Sequence, residues 1–303
     1  MSDRTRDRRA STLPYALIGP AVLALCLALG YPLVRQLVLS FQEFGLAQQF
    51  GRPPEWVGLA NYRELLGDAY LWRVTARTVV FCLVNAVVTM ALGVGLALVM
   101  RAMSTWVRLL TQTGLLLAWA MPVVASLTVW QWLFDTQYGV VNHVLTQLGG
   151  DFQGHAWLLR PLSFFFVATV IVVWMSVPFV AFTVYAALTQ LSEELLEAAE
   201  IDGASLAQRL RHVTLPSIRS VLMVVALLQV IWDLRVFTQI YILQEAGGSA
   251  RGTNLLGTYI YRLGIGGGDF GTSAAVAVFM LGLTVVLTAP YVRSMLRQER
   301  EAP

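Results

Sequence analysis

"EELLEAAEIDGASLAQRLRHVTLP", residues 193–216, lies between two long apolar runs, and its reading decides the fold. It places five carboxylates (Glu193, Glu194, Glu197, Glu200, Asp202) and two arginines (Arg209, Arg211) in a short interval of a chain that is 57% hydrophobic. Such a stretch must face water. Its surroundings do not: 13% of the residues are charged and the mean hydropathy is +0.64, too apolar to give a soluble domain its polar surface. The chain reads as an integral membrane protein whose apolar runs are spans and whose charged interval is a loop between two of them.

Crossing roughly 30 Å of hydrocarbon takes about 20 apolar residues per helix. Six runs meet that length: Leu13–Phe41, Thr78–Met100, Leu109–Phe134, Leu162–Leu188, Ser220–Leu243 and Ser273–Tyr291. The expected fold is all-α with six transmembrane helices. The first run follows "DRTRDRRAS" but is too long for a signal-peptide core and has no small-x-small cleavage site after it, so it is expected to remain as an anchor. A lipoprotein cleavage box at Cys26 is set aside because Leu25 stands where a small residue is needed.

All 21 basic residues are arginine. With a cytoplasmic N-terminus, 12 arginines fall in inside segments and seven in outside ones, Arg35 and Arg235 lying within spans. The positive-inside bias then puts both termini and the 189–219 loop in the cytoplasm. The absence of lysine leaves no Walker A loop and no Schiff base. Cys26 and Cys82 lie in apolar runs, and His143, His155 and His212 are far apart, so neither a disulfide framework nor a metal site is expected. No cofactor is expected, and no nucleic-acid partner.

Within the loop, Ser192 with Glu193 and Glu194 marks a helix start, the carboxylates sitting near the positive end of the helix dipole. Leu195, Leu196 and Ala199 give this short helix a narrow apolar face. Asp202-Gly203 breaks it, Ser205 caps a second helix to about Val213, and Pro216 closes that helix. The product is a two-helix knob. A mere solvated connector would leave an isolated short helix with exposed leucines and no partner, which is marginal.

These residues carry a resemblance. Glu197-Ala198-Ala199, Asp202-Gly203-Ala204, then Val213, Leu215 and Pro216 resemble the EAA loop of binding-protein-dependent ABC importer permeases. "WVGLANYRELL" (56–66), "MPVVASLTVWQWLFDTQYGVVNHVL" (121–145), "WMSVPFVAFTVYAALTQLSEEL" (174–195) and "DFGTSAAVAV" (269–278) are similar to the carbohydrate branch, the maltose and glycerol-3-phosphate permeases of larger-subunit type, over most of the chain. The resemblance implies a bacterial cytoplasmic-membrane permease domain over 13–291, with cytoplasmic tails at 1–12 and 292–303 and its EAA loop at 189–219. It implies a non-enzymatic subunit that works with a second related permease, a dimer of ATP-binding subunits and an extracytoplasmic solute-binding protein, and that moves a sugar. Residues Glu197, Ala198, Ala199, Asp202, Gly203, Leu215 and Pro216 would then form the coupling helix and its frame, Glu197 making a charged contact and Gly203 setting the angle between helices. An apolar face with flanking charges suits docking into a cleft with a polar rim. The sequence departs from the pattern twice. "QEAGGSARGT" (244–253) stands where the branch has TxGGP, and Arg77 stands where asparagine is common.

In the fifth span, Gln229, Trp232, Asp233 and Val236 fall at i, i+3, i+4 and i+7, on one helix face near midplane. An indole ring covers sugar C–H groups, and a carboxylate and an amide bond hydroxyls. Polar groups in hydrocarbon also serve packing, here with Asp233 paired to Arg235 or to a partner subunit, and that alternative stays open. Similarity to the maltose permease aligns its substrate contacts with these four and adds Ser176 and Phe179. "GGGDFG" (266–271) imitates nucleotide-loop and kinase motifs but lacks their strand, helix and lysine context. A glycerol-phosphate importer is the nearest alternative. An ion-coupled secondary transporter predicts several intramembrane carboxylates, and the six runs hold one, Asp233.

Overall fold

The computed structural model describes residues 4–301, with side chains from Pro14 to Met295. The ends of both expected tails, residues 1–3 and 302–303, lie outside the described residues. The chain forms two compact units, one of residues up to Leu71 with Ile260–Leu281 and the other of Trp72–Tyr259 with residues from Gly282 onward.

In the first unit, α1 (Arg4–Leu25) runs through a π-helical turn at Cys26–Gly30 into α2 (Tyr31–Leu39). The apolar stretch Pro14–Leu39 is long enough to span and buries none of its residues within the chain. A short antiparallel ribbon follows, β1 (Gln42–Glu43) pairing with β2 (Glu55–Trp56) around the single turn α3 (Leu46–Gln49). Next comes α4 (Ala60–Gly67), whose Asn61 and Tyr62 belong to "WVGLANY" and hold this ribbon: Asn61 Nδ2 donates to Ser40 O and Gln42 O, each at 3.0 Å, and the Tyr62 hydroxyl to Ser40 Oγ at 2.7 Å. The "GGGDFG" segment packs on the same ribbon, Phe270 N–H donating to Phe44 O at 2.9 Å. A Cβ on Gly271 would collide with the Gln42 carbonyl and one on Gly268 would stand 2.5 Å from Leu46 Cγ, so these glycines serve close backbone approach.

The second unit holds most of α5 (Ala69–Ala102), then α6 (Thr105–Ala120), α7 (Val123–Leu133), α8 (Val140–Gln147) and α9 (Pro161–Leu188). Its core is α9, whose Phe164, Val167, Ala168, Ile171 and Val172 are buried with Ile240 and Leu243, while Val180, Val184 and Leu188 are buried with Ala97 and Val225. A Cβ on Gly93 would lie 2.5 Å from Val180 Cγ1, so glycine there lets α5 and α9 approach closely, the usual way membrane helices gain packing without a hydrophobic drive. The 189–219 loop contains α10 (Glu193–Ile201), α11 (Leu206–Arg209), a π turn at Leu210–Thr214 and α12 (Leu215–Ser217). Beyond it run α13 (Arg219–Leu234), α14 (Thr238–Glu245), α15 (Ala250–Thr253), α16 (Leu256–Tyr261) and α17 (Phe270–Glu301).

Five stretches are long and apolar enough to span, and Thr105–Ala120 with Val123–Leu133 passes the same test as a pair bent by 101°. The expected single helix over Leu109–Phe134 is therefore corrected to a broken pair. Pro122 is the cause: it has no N–H to donate and drives Met121 out of the helical region, to φ −66°, ψ 130°. The fifth span is also interrupted, between Leu234 and Thr238. The tail boundaries at 12 and 292 do not coincide with helix ends, since α1 begins at Arg4 and α17 reaches Glu301.

Candidate functional site

The knob forms as its sequence dictates. Helix α10 ends where Gly203 takes φ +77°, with Gly203 N–H donating to Glu200 O and Ala204 N–H to Ala199 O, both at 3.0 Å, the two bonds of a Schellman turn. Two residues on, Ser205 and Gln208 form a reciprocal capping box, Ser205 N–H donating to Gln208 Oε1 at 2.8 Å and Gln208 N–H to Ser205 Oγ. The start of α10 is less capped than expected: Ser192 has extended geometry, but its hydroxyl accepts no cap bond. Pro216 does not terminate a helix either. It lies inside the uninterrupted helical run from Leu206 to Ser217, just after the π turn at Leu210–Thr214, and the break falls at Ile218.

An ion pair that no local pattern signals ties the two helices: Arg209 Nη1 reaches Glu200 Oε2 across the Gly203 turn. Arg209 is the more covered partner, its side chain 23% exposed against 68% for Glu200. The single apolar face expected from Leu195, Leu196 and Ala199 is divided. Leu195 points outward with Ile201, whereas Leu196 lines a cavity of about 460 Å3 with Leu206, Leu98, Val99, Arg101 and Leu210. Glu197, Ala198, Asp202 and Gly203 are exposed, Ala199 is half-buried, and Leu215 and Pro216 stand at the base beside α13.

In the second unit, a pocket of about 290 Å3 gathers Ser176 and Phe179 of α9 with Trp232, Asp233 and Val236. Trp119, Val172, Met175, Arg235, Phe237, Thr238 and Gln239 complete its wall, and sequence reasoning missed them; the arginine inside a span was the available signal. Trp232 meets Phe179 edge to face, ring centroids 4.8 Å apart. Gln229 is placed differently from expectation. It is fully buried behind the wall, and its Nε2 donates to both carboxylate oxygens of Asp233 at 3.0 Å. Val236 lies beyond the end of α13, so it reaches the pocket through the break rather than by helical spacing. Asp233 takes its bonds from Gln229, while Arg235 faces the cavity and makes no ion pair with it. Within the chain the carboxylate is thus held by Gln229 and not by Arg235, one of the two pairings left open by the sequence.

The two departures from the family pattern meet in space. Arg77 Nη1 donates to the carbonyls of Arg251 and Asn254, at 3.3 and 3.4 Å, and next to it Thr78 Oγ1 accepts from Leu256 N–H at 2.9 Å. The arginine therefore supports the segment that replaces TxGGP.

Residues 89–294 match the family described as binding-protein-dependent transport system inner membrane component. The diacetylchitobiose uptake system permease protein of Streptomyces coelicolor is 43% identical over 299 residues, covering 98% of this chain and 91% of the relative. The sulfoquinovosyl glycerol transport system permease protein of Agrobacterium fabrum is 32% identical, covering 93% and 89%. A crystal structure of a bacterial ABC transporter that imports the acidic polysaccharide alginate has a chain that superposes with a TM-score of 0.81 over 96% of this chain and 98% of its own length, at 22% identity. The chain belongs to the binding-protein-dependent ABC importer permeases, multi-pass inner membrane subunits that leave ATP hydrolysis to a separate chain.

Proposed function

We propose that this chain is the permease of an importer for a sugar or small oligosaccharide, with Trp232, Asp233, Val236, Ser176 and Phe179 on the substrate path and α10 as the element that couples it to an ATPase. The observation that carries the reading is the Trp232 pocket. It offers an indole, a carboxylate held by buried Gln229 and further hydrogen-bonding groups on one small cavity, which is the chemistry a polyhydroxylated ligand needs. The likeness to a diacetylchitobiose permease supports an N-acetylated disaccharide as the first substrate to try. Gln229 acts from behind the wall, fixing the orientation of Asp233.

In this reading residues 13–291 form one permease domain between short tails, and both termini and the 189–219 loop are cytoplasmic. A dimer of ATP-binding subunits docks on Glu197, Ala198, Ala199, Asp202 and Gly203, with Leu215 and Pro216 joining the knob to the fifth span. A second related permease completes the transmembrane pathway, and a solute-binding protein delivers sugar from outside. Closure of the ATPase dimer pushes the knob, and the attached spans rock between outward and inward access. The test is reconstitution in proteoliposomes with the ATPase, the partner permease and the binding protein. Uptake of labelled diacetylchitobiose should require ATP and all partners; uptake without ATP would overturn the proposal.

Arg235 on the pocket wall favours a second reading, an anionic sugar or glycerol derivative, which the Agrobacterium relative's substrate resembles. Competition of sugar uptake by sulfoquinovosyl glycerol and by glycerol 3-phosphate separates the two.

A further inference from the structure

Helix α14 has a cavity at each end. Thr238 and Gln239 line the Trp232 pocket, and Ala246 and Gly247, just past its last residue, line a second cavity of about 540 Å3. The helix between them is eight residues long, roughly 12 Å. The wall of the second cavity comes from α7 and the residues after it: Thr128, Gln131, Trp132 and Asp135 fall at i, i+3, i+4 and i+7. Its chemistry repeats that of the first pocket, an amide, an indole and a carboxylate.

The groups are presented for use. Trp132 is 56% exposed and has no aromatic neighbour among the described residues. Trp157 on the opposite wall differs, because Phe152 and Phe166 cover its faces at 5.7 and 5.8 Å and its Nε1 is spent on Asn142. Asp135 Oδ1 accepts the backbone N–H groups of Gln137 and Tyr138, both at 2.8 Å. The Tyr138 bond first, then the Gln137 bond, holds this carboxylate below its usual range, so it is charged at neutral pH. Oδ2 is left over. Gln131 spends its Nε2 on Ile242 O at 3.3 Å, which ties α7 to α14 and leaves its carbonyl oxygen to accept.

We infer that this cavity is a second saccharide subsite, in which Trp132 stacks on a sugar ring and Asp135 and Gln131 bond its hydroxyls, one helix length from the Trp232 pocket. The inference rests on the sugar-import reading. The subsite holds sugar released from the binding protein until the inner pocket accepts it, so its loss lets sugar escape while the ATPase still turns over.

The experiment measures diacetylchitobiose imported per ATP hydrolysed by the full reconstituted transporter, together with the affinity of the loaded binding protein. Trp132→Ala should lower the sugar-to-ATP ratio roughly three- to ten-fold, the size of a lost aromatic contact, with binding-protein affinity unchanged. Trp132→Phe should stay close to wild type. If Trp132→Ala does not assemble, Asp135→Asn keeps the Oδ1 acceptor for the turn and should lower the ratio on its own. Ratios equal to wild type in Trp132→Ala and Asp135→Asn would overturn the subsite and leave the sugar-import reading standing. A fall in binding-protein affinity would also overturn it, identifying the cavity as a protein contact. Wild-type proteoliposomes that import no diacetylchitobiose would remove both the reading and the subsite.

Discussion

Replacing Gly203 tests whether the knob works through the shape of its turn. Gly203 stands at φ +77°, and a Cβ built there meets no atom within 4 Å. Within this chain the cost of a side chain is therefore conformational rather than steric, about 1–2 kcal/mol for an ordinary residue in the left-handed region. That penalty is a factor of about 5 to 30 in the population of the native turn. Asparagine tolerates the region, alanine pays the full penalty, and valine pays more because its branched Cβ resists positive φ. The expected order of function is Gly203→Asn above Gly203→Ala above Gly203→Val, in both ATPase co-purification and ATP-driven uptake at matched membrane expression. A steric clash with a docked ATPase predicts another order, since alanine is the smallest addition and would then perform best. Finding alanine above asparagine, or all three equal to wild type, would refute the argument that the left-handed turn sets the docking angle.

Other outcomes follow from neighbouring geometry. Because the Arg209 stem is largely covered while Glu200 is mostly exposed, Glu200→Ala should cost under about 1 kcal/mol, and Arg209→Ala more through lost packing; thermal unfolding of the purified subunit measures both, and Glu200→Arg with Arg209→Glu should recover part of the charge term. Trp232→Ala and Asp233→Asn should each slow sugar uptake by about 1–3 kcal/mol, the scale of a hydrogen bond to a charged group, with subunit assembly intact. Joint loss of assembly and uptake would instead assign these residues to packing. For topology, Ala207→Cys should react with an impermeant thiol reagent only in opened cells and Ala60→Cys in intact ones, both positions being exposed and Cys26 and Cys82 replaced beforehand; Ser205 is avoided because it caps α11. Arg77→Ala should raise hydrogen exchange at residues 250–256, whose carbonyls and N–H it and Thr78 hold.

Local signals in the sequence carried far. Composition alone identified a membrane protein, because apolar runs of spanning length leave a chain no soluble alternative. The Asp202-Gly203 break and the Ser205 cap were legible because each is a rule about one or two residues: a glycine for a left-handed turn, a hydroxyl for an orphan N–H. What was not legible depended on atoms distant in sequence. Hydropathy averages over a window and cannot register that Met121-Pro122 turns a span through 101°, even though the proline itself was visible. The split of Leu195 from Leu196 needed the end of α5 beside the knob, and the Glu200–Arg209 pair needed the turn angle that Gly203 sets.

The substrate face shows where helical periodicity stops being a guide. Gln229, Trp232, Asp233 and Val236 share one face only if the helix continues, but α13 ends at Leu234 and the chain does not resume helical form until Thr238. The break itself makes the pocket, since Arg235, Val236 and Phe237 line it together with Thr238 and Gln239. Irregular backbone at membrane depth is tolerated where it is buried in protein or lines a cavity, because its freed N–H and C=O groups need partners that hydrocarbon cannot give. An interrupted span beside a buried amide and carboxylate is therefore a stronger pointer to a ligand path than the apolar period was. Its sequence trace is an aspartate and an arginine two residues apart in an otherwise apolar run. One alternative left open by the sequence was a salt bridge between the two; the structure instead bonds Asp233 to Gln229 and places Arg235 among the residues that line the cavity.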